Sequence, residues 1–87
     1  MKTIEHRNIG TCSRSVTVQI DDNDVIVDAS FLGGCSGNTQ GVCALVKGMS
    51  VTEGISRLSG IRCGFKSTSC PDQLAEALKG YLAEKNA

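Results

Sequence analysis

An α+β domain, with a small antiparallel sheet of two or three strands followed by three helices packed on one face, is the fold this sequence predicts. Three observations predict it. Apolar residues alternate with polar ones on both sides of an Asp-rich turn, which specifies a hairpin. Helical spacing begins only after Gly33-Gly34, so strands come first and helices after. The chain has 87 residues, which is one domain, spanning 1–87, with no room for a second.

The elements follow in order. Residues 2–7 add a third, shorter strand. In residues 14–20, Val16, Val18 and Ile20 alternate with Ser15, Thr17 and Gln19, a strand with one buried face. Asp21-Asp22-Asn23-Asp24 is the turn, because these side chains hydrogen-bond their own backbone. Residues 25–32 form the next strand, with Val25, Val27, Ala29 and Phe31 expected on one face. Gly33-Gly34 ends it. Cys35-Ser36-Gly37-Asn38 opens a helix to about residue 47, with Val42, Leu45, Val46 and Met49 as its apolar stripe and Gly48 as its cap. Ser50-Val51-Thr52-Glu53 is a capping box that starts a short helix to Leu58, with Ile55 and Leu58 inward. Residues 61–69 are a loop. The last helix runs from Pro71 to about Glu84, since Pro and Asp suit a first turn and Leu74, Ala77, Leu78 and Tyr81 share one face.

Composition excludes several functions. Nine Lys and Arg balance nine Asp and Glu, so nothing predicts duplex nucleic acid or an anionic membrane as partner. No apolar run approaches a transmembrane span, and residues 1–7 show no signal-peptide pattern. The three aromatics, two Phe and one Tyr, leave the core thin.

Five cysteines, an odd number without an export signal, point to a reducing cytoplasm and to free, metal-bound or redox thiols. Cys12, Cys35, Cys43, Cys63 and Cys70 are separated by 22, 7, 19 and 6 residues. No C-x2-C knuckle is present, so any metal site must be assembled by the fold. Cys12, Cys35, Cys63 and Cys70 all fall in loops or at element ends. Cys35 and Cys70 fall at helix N-termini, where the dipole favours thiolate, the metal-binding and redox-active form. Cys43 rides a helix beside Val42 and Ala44, as a small packing residue does. Cys12, Cys35 and Cys70 are therefore expected at one end of the sheet, with Cys63 nearby and Cys43 apart. Bound metal would supply folding energy that a thin core lacks.

Other features read as structure. The segment from Gly33 to Gly37 lacks both the P-loop and the dinucleotide-binding spacing. His6, the only histidine, reads as a solvated side chain. Asp21, Asp22 and Asp24 lack the Gly and Glu of a calcium loop. Arg14, Arg62 and Lys66 flank the thiols and read as surface charge.

Gly60-Ile61-Arg62-Cys63, then Thr68-Ser69-Cys70-Pro71-Asp72, resembles the TSCPD domain, whose name is that pentapeptide. The resemblance extends through Phe31-Leu32-Gly33-Gly34-Cys35 and Gly10-Thr11-Cys12. The domain occurs at the C-terminal end of adenosylcobalamin-dependent ribonucleoside-diphosphate reductases and as short stand-alone proteins with four characteristic cysteines. By position these would be Cys12, Cys35, Cys63 and Cys70. A looser resemblance links Cys12, Cys35 and Cys70 to U-type iron–sulfur scaffold proteins and implies a similar fold. Arg14 and Ser69 stand where the scaffold has Asp and His, and Cys63 could be the fourth ligand.

Together these imply a cysteine-cluster domain holding Zn2+ or an iron–sulfur cluster through four thiolates. The alternatives are a thiol-redox or accessory part of ribonucleotide reduction, with Cys63 and Cys70 as a dithiol, or an interaction domain with idle thiols. The expected partner is the metal or cluster, with a ribonucleotide reductase or an iron–sulfur protein beyond it. The chain has no room to be a complete reductase.

Overall fold

The structure is a computed structural model that describes residues 1–11, 13–34, 36–62 and 68–86, with residue 36 described by its backbone alone. Three strands, β1 (Lys2–Arg7), β2 (Ser13–Ile20) and β3 (Ile26–Gly33), form an antiparallel sheet in the order β1-β2-β3. Three helices follow: α1 (Ser36–Val46), α2 (Val51–Leu58) and α3 (Cys70–Lys85). The α+β class and the order of elements are as expected.

The sheet has one apolar face because its register aligns apolar positions. Ile4 and Ala29 flank Val18, His6 and Phe31 flank Val16, and Ile26 pairs with Ile20. The opposite face carries Thr3, Glu5, Gln19, Asp28 and Ser30, all exposed. Helix α3 packs across β1 and β2, α1 against β3, and α2 against α3. Val16, Val18, Ile20, Ile26, Val46, Val51, Leu74 and Leu78 are fully buried between these layers. Each contributes about 1.5–3 kcal/mol relative to exposure. The turn from Gly48 to Val51 covers the outer edge of β3, with Ile26 N–H donating to Met49 O and Gly48 N–H to Ile26 O, both at 2.8 Å.

Three details depart from expectation. The pairing of β2 with β3 shifts between Gln19 and Ile20, so that Asp28 opposes Gln19 but Ile26 opposes Ile20. The extra residue, Val27, bulges outward at 39% exposure, and Ile26 takes the inward place expected for it. In α1, Leu45 faces solvent, and the buried stripe is Thr39, Cys43 and Val46, the i, i+4, i+7 row of the helix. At Ser50 only half of the capping box forms. Its Oγ accepts the Glu53 N–H at 3.2 Å, while the Glu53 carboxylate turns to Arg57. In α2 the fully buried side chain is Val51, with Ile55 and Leu58 half-buried.

The acidic turn is a turn. Asp21 Oδ1 accepts from the N–H groups of Asn23 and Val25, and Asp24 takes a left-handed φ of 59°.

Candidate metal centre

The site is built from the first turn of α3. Ser69 is its N-cap, in extended conformation, with Oγ accepting the Asp72 N–H at 3.2 Å. The same hydroxyl donates to Ile61 O at 2.7 Å, tying the helix start to the preceding loop. Cys70 is therefore the first helical residue and Pro71, which has no N–H to lose, follows it. The helix begins one residue earlier than the expected Pro71.

Asp72 closes the loop. Its Oδ1 accepts the Gly60 N–H at 2.6 Å and its Oδ2 accepts the Thr68 hydroxyl, so one buried carboxylate holds both ends of the segment 60–68. The Thr68 hydroxyl holds this carboxyl below the usual carboxylate range. Burial opposes it, and the Gly60 amide and Lys79 assist. Gln73 extends the clamp. Its Nε2 donates to Thr68 Oγ1 at 2.9 Å, and its Oε1 receives the Ile9 N–H at 3.2 Å and His6 Nε2 at 3.0 Å.

Cys70 is half-buried, and its Sγ lies 2.9 Å from Ser13 Oγ. Ser13 is 3% exposed and opens β2 opposite Gly33. Gly34 has φ 87°, and a Cβ there would stand 3.1 Å from Ser13 Cβ. Glycine is thus required both by the angle and by the approach. Asn8 Nδ2 donates to Ser13 Oγ at 2.8 Å, and Thr11 Oγ1 donates to Ser13 O at 2.9 Å.

Of the expected ligands, Cys70 is described. Cys12, Cys35 and Cys63 lie outside the described residues, as does Lys66. Of their described chain neighbours, Ser13 meets Cys70 and lies against Gly34, and a Cβ at Gly10 would stand 3.1 Å from Thr68 Cγ2. Among the described residues no group of three or more His, Cys, Asp or Glu side chains is disposed to hold a metal ion. Cys43 is 8% exposed, with its thiol pushed up by burial and then by Asp28, as a packing residue should be. Arg14 and Arg62 are exposed.

Two nearby donors other than thiols are engaged. His6 is not a free solvated side chain, since its Nε2 meets Gln73, and both Asp72 oxygens are occupied. A sulfur donor such as Cys70 is of the kind that suits Zn2+ or an iron–sulfur cluster.

A model of the TSCPD domain matches residues 1–82 of the 87. The chain belongs to the TSCPD family. No curated protein and no solved structure matches it. In this TSCPD domain each residue of the pentapeptide has a separate task. Thr68 and Asp72 lock the loop, Ser69 caps the helix, Cys70 presents sulfur and Pro71 fits the first turn. No helix among the described residues is long and apolar enough to cross a membrane.

Sequence reasoning missed the polar contact of Cys70 with Ser13, the Asn8 bond to Ser13, and the Gln73 bonds to His6, Ile9 and Thr68. One signal was available for His6. It shares the parity of Ile4 in β1, which places it on the inner face.

Proposed function

We propose that this TSCPD protein is a cytoplasmic metal-binding module in which Cys12, Cys35, Cys63 and Cys70 supply four thiolates to Zn2+ or an iron–sulfur cluster. One observation carries the reading. Ser13, next in sequence to Cys12, touches both Cys70 and Gly34, and Gly34 is next in sequence to Cys35. Consecutive Cα atoms are about 3.8 Å apart, so Cys12 and Cys35 are each one residue away from a contact centred on Ser13. Cys63 belongs to the segment that Asp72 holds at both ends. The engagement of His6 and Asp72 in hydrogen bonds supports sulfur as the donor.

A four-thiolate zinc site has no open position and would serve to fold and present this end of the domain. A cluster in the same ligands would add one-electron chemistry. The protein's own contribution is to hold Cys70 at a capped helix start and to engage His6 and Asp72 elsewhere. A ribonucleotide reductase or an iron–sulfur protein is the partner this family membership favours.

The test is elemental and optical. Protein purified under reducing conditions without added metal should carry stoichiometric zinc and be colourless, or carry iron and be brown. Metal-free protein whose Cys63 and Cys70 are rapidly alkylated would replace this reading with a redox dithiol.

A further inference from the structure

We infer that Ser13 is a positioning residue that donates its hydroxyl proton to the Cys70 sulfur, and that Asn8 dictates the direction of that bond. The inference rests on Cys70 being a metal-bound thiolate, as proposed above.

Proton inventory leads to it. A serine hydroxyl has one proton to give and two lone pairs with which to accept. Asn8 Nδ2 can only donate, so at 2.8 Å Ser13 Oγ must accept from it. Thr11 gives its single proton to Ser13 O at 2.9 Å. The Ser13 proton then has two takers, Cys70 Sγ at 2.9 Å and Thr11 Oγ1 at 3.2 Å. A ligating thiolate carries no proton and is charged, so it takes the nearer, stronger bond. Ser13 is 3% exposed and fixed against Gly33 and Gly34, so its hydroxyl has little competition from solvent.

The orientation of Asn8 is the control. Its Oδ1 is buried without a hydrogen-bond partner among the described residues. Were the amide turned over, that oxygen would capture the Ser13 proton and the sulfur would lose its donor. A hydrogen bond to a ligating sulfur withdraws electron density and tunes both affinity and the electronic state of the metal.

Cobalt(II) titration of the reduced, metal-free full chain at one fixed pH tests this. The wild type should develop a thiolate-to-cobalt charge-transfer band. In Ser13→Ala the sulfur becomes a better electron donor, so the band should move to lower energy, and cobalt affinity should fall about 10–100-fold. Asn8→Asp keeps Ser13 and the side-chain shape but places an acceptor where Nδ2 stood. It should shift the band in the same direction. Packing alone would not move the band energy in a folded protein, and circular dichroism reports the fold. If Ser13→Ala does not fold, Asn8→Asp decides. Wild-type band energy and affinity in the folded variants would overturn the role of Ser13 while leaving the metal centre standing. A wild type with no charge-transfer band would overturn the four-thiolate cobalt site and the Ser13 role together.

Discussion

Asp24 joins the two ends of the fold through one side chain. Its φ of 59° is a region that Asp and Asn tolerate better than other non-glycine residues. From there its carboxylate accepts the Tyr81 hydroxyl at 2.6 Å and the Lys85 ammonium of α3. The Lys85 hydrogen bond, then that of Tyr81, holds the Asp24 carboxyl below its usual range, against the opposing pull of burial. The same contacts push Tyr81 and Lys85 up, in each case first through the hydrogen bond to Asp24. The signs define a window. A lowered carboxyl stabilises the fold above its unfolded value, near 3.8, and that contribution is lost as pH falls through the folded value. A raised tyrosine or lysine stabilises below its unfolded value, near 10, and loses this as pH rises through the folded one. Asn keeps the backbone angle without the charge. Asp24→Asn should therefore lower stability at neutral pH and flatten the acid limb of the stability curve below about pH 4. Urea unfolding across pH 2–7 measures both effects, and parallel curves for the two proteins would remove Asp24 as a source of the acid dependence.

At the scale of elements, α2 and α3 owe their close packing to one missing methyl group. Gly54 is buried, and a Cβ there would lie 3.0 Å from Leu78 Cδ1 and 3.2 Å from Ile26 Cδ1. Both neighbours are fully buried. Gly80, on the exposed side of α3, has nothing within 4 Å of the same position. Alanine at either site gains up to about 1 kcal/mol of helix propensity. At Gly54 the overpacking, typically about 1–3 kcal/mol, should outweigh it, whereas at Gly80 nothing opposes it. Gly54→Ala should thus lower the melting temperature and Gly80→Ala raise it. Thermal unfolding checks the pair, and equal signs would contradict the packing argument. The hairpin and α3 were legible in the sequence because burial there follows an unbroken period: Val16, Val18, Ile20 on β2 and Leu74, Ala77, Leu78, Tyr81 on α3. The inner face of β3 was not, since Val25 and Val27 mimic an alternation that the bulge at Val27 breaks. In α1 the burial of Cys43 was legible, but Leu45 was misplaced in the core because it is the more apolar residue and helix rotation is set by the neighbours. At the site, the cysteine positions and the Ser69 cap are local features. The surroundings of Cys70 draw on Ser13 and, through it, Asn8, and only the fold brings these to the start of α3.

On the scale of the whole molecule, the core and the candidate centre occupy different regions. The eight largest fully buried side chains among the described residues lie on the inner sheet face, α1, α2 and the body of α3. Cys70 stands at the start of α3, held by Ser13 and by the clamp of Asp72 and Gln73. The metal proposed for Cys12, Cys35, Cys63 and Cys70 would tie together the β1–β2 loop, the end of β3 and the loop before α3. Binding to the folded state alone adds stability of RT ln(1 + [L]/Kd), about 4.1 kcal/mol at a thousandfold excess over Kd. The wild type should therefore lose melting temperature when a strong chelator strips it. Cys70→Ser removes one ligand, so it should melt near the stripped wild-type temperature and respond little to chelator. Cys43→Ser acts by another route. A buried thiol becomes a hydroxyl that must find a partner, at a cost of about 1–3 kcal/mol, and this cost is the same with metal or without. Cys43→Ser should melt below the wild type in both conditions while keeping the full chelator-dependent shift. Thermal unfolding of the three proteins, each with and without chelator, separates the two roles. A chelator-dependent shift of equal size in Cys70→Ser and the wild type would remove Cys70 from the ligand set and leave it as the first residue of α3.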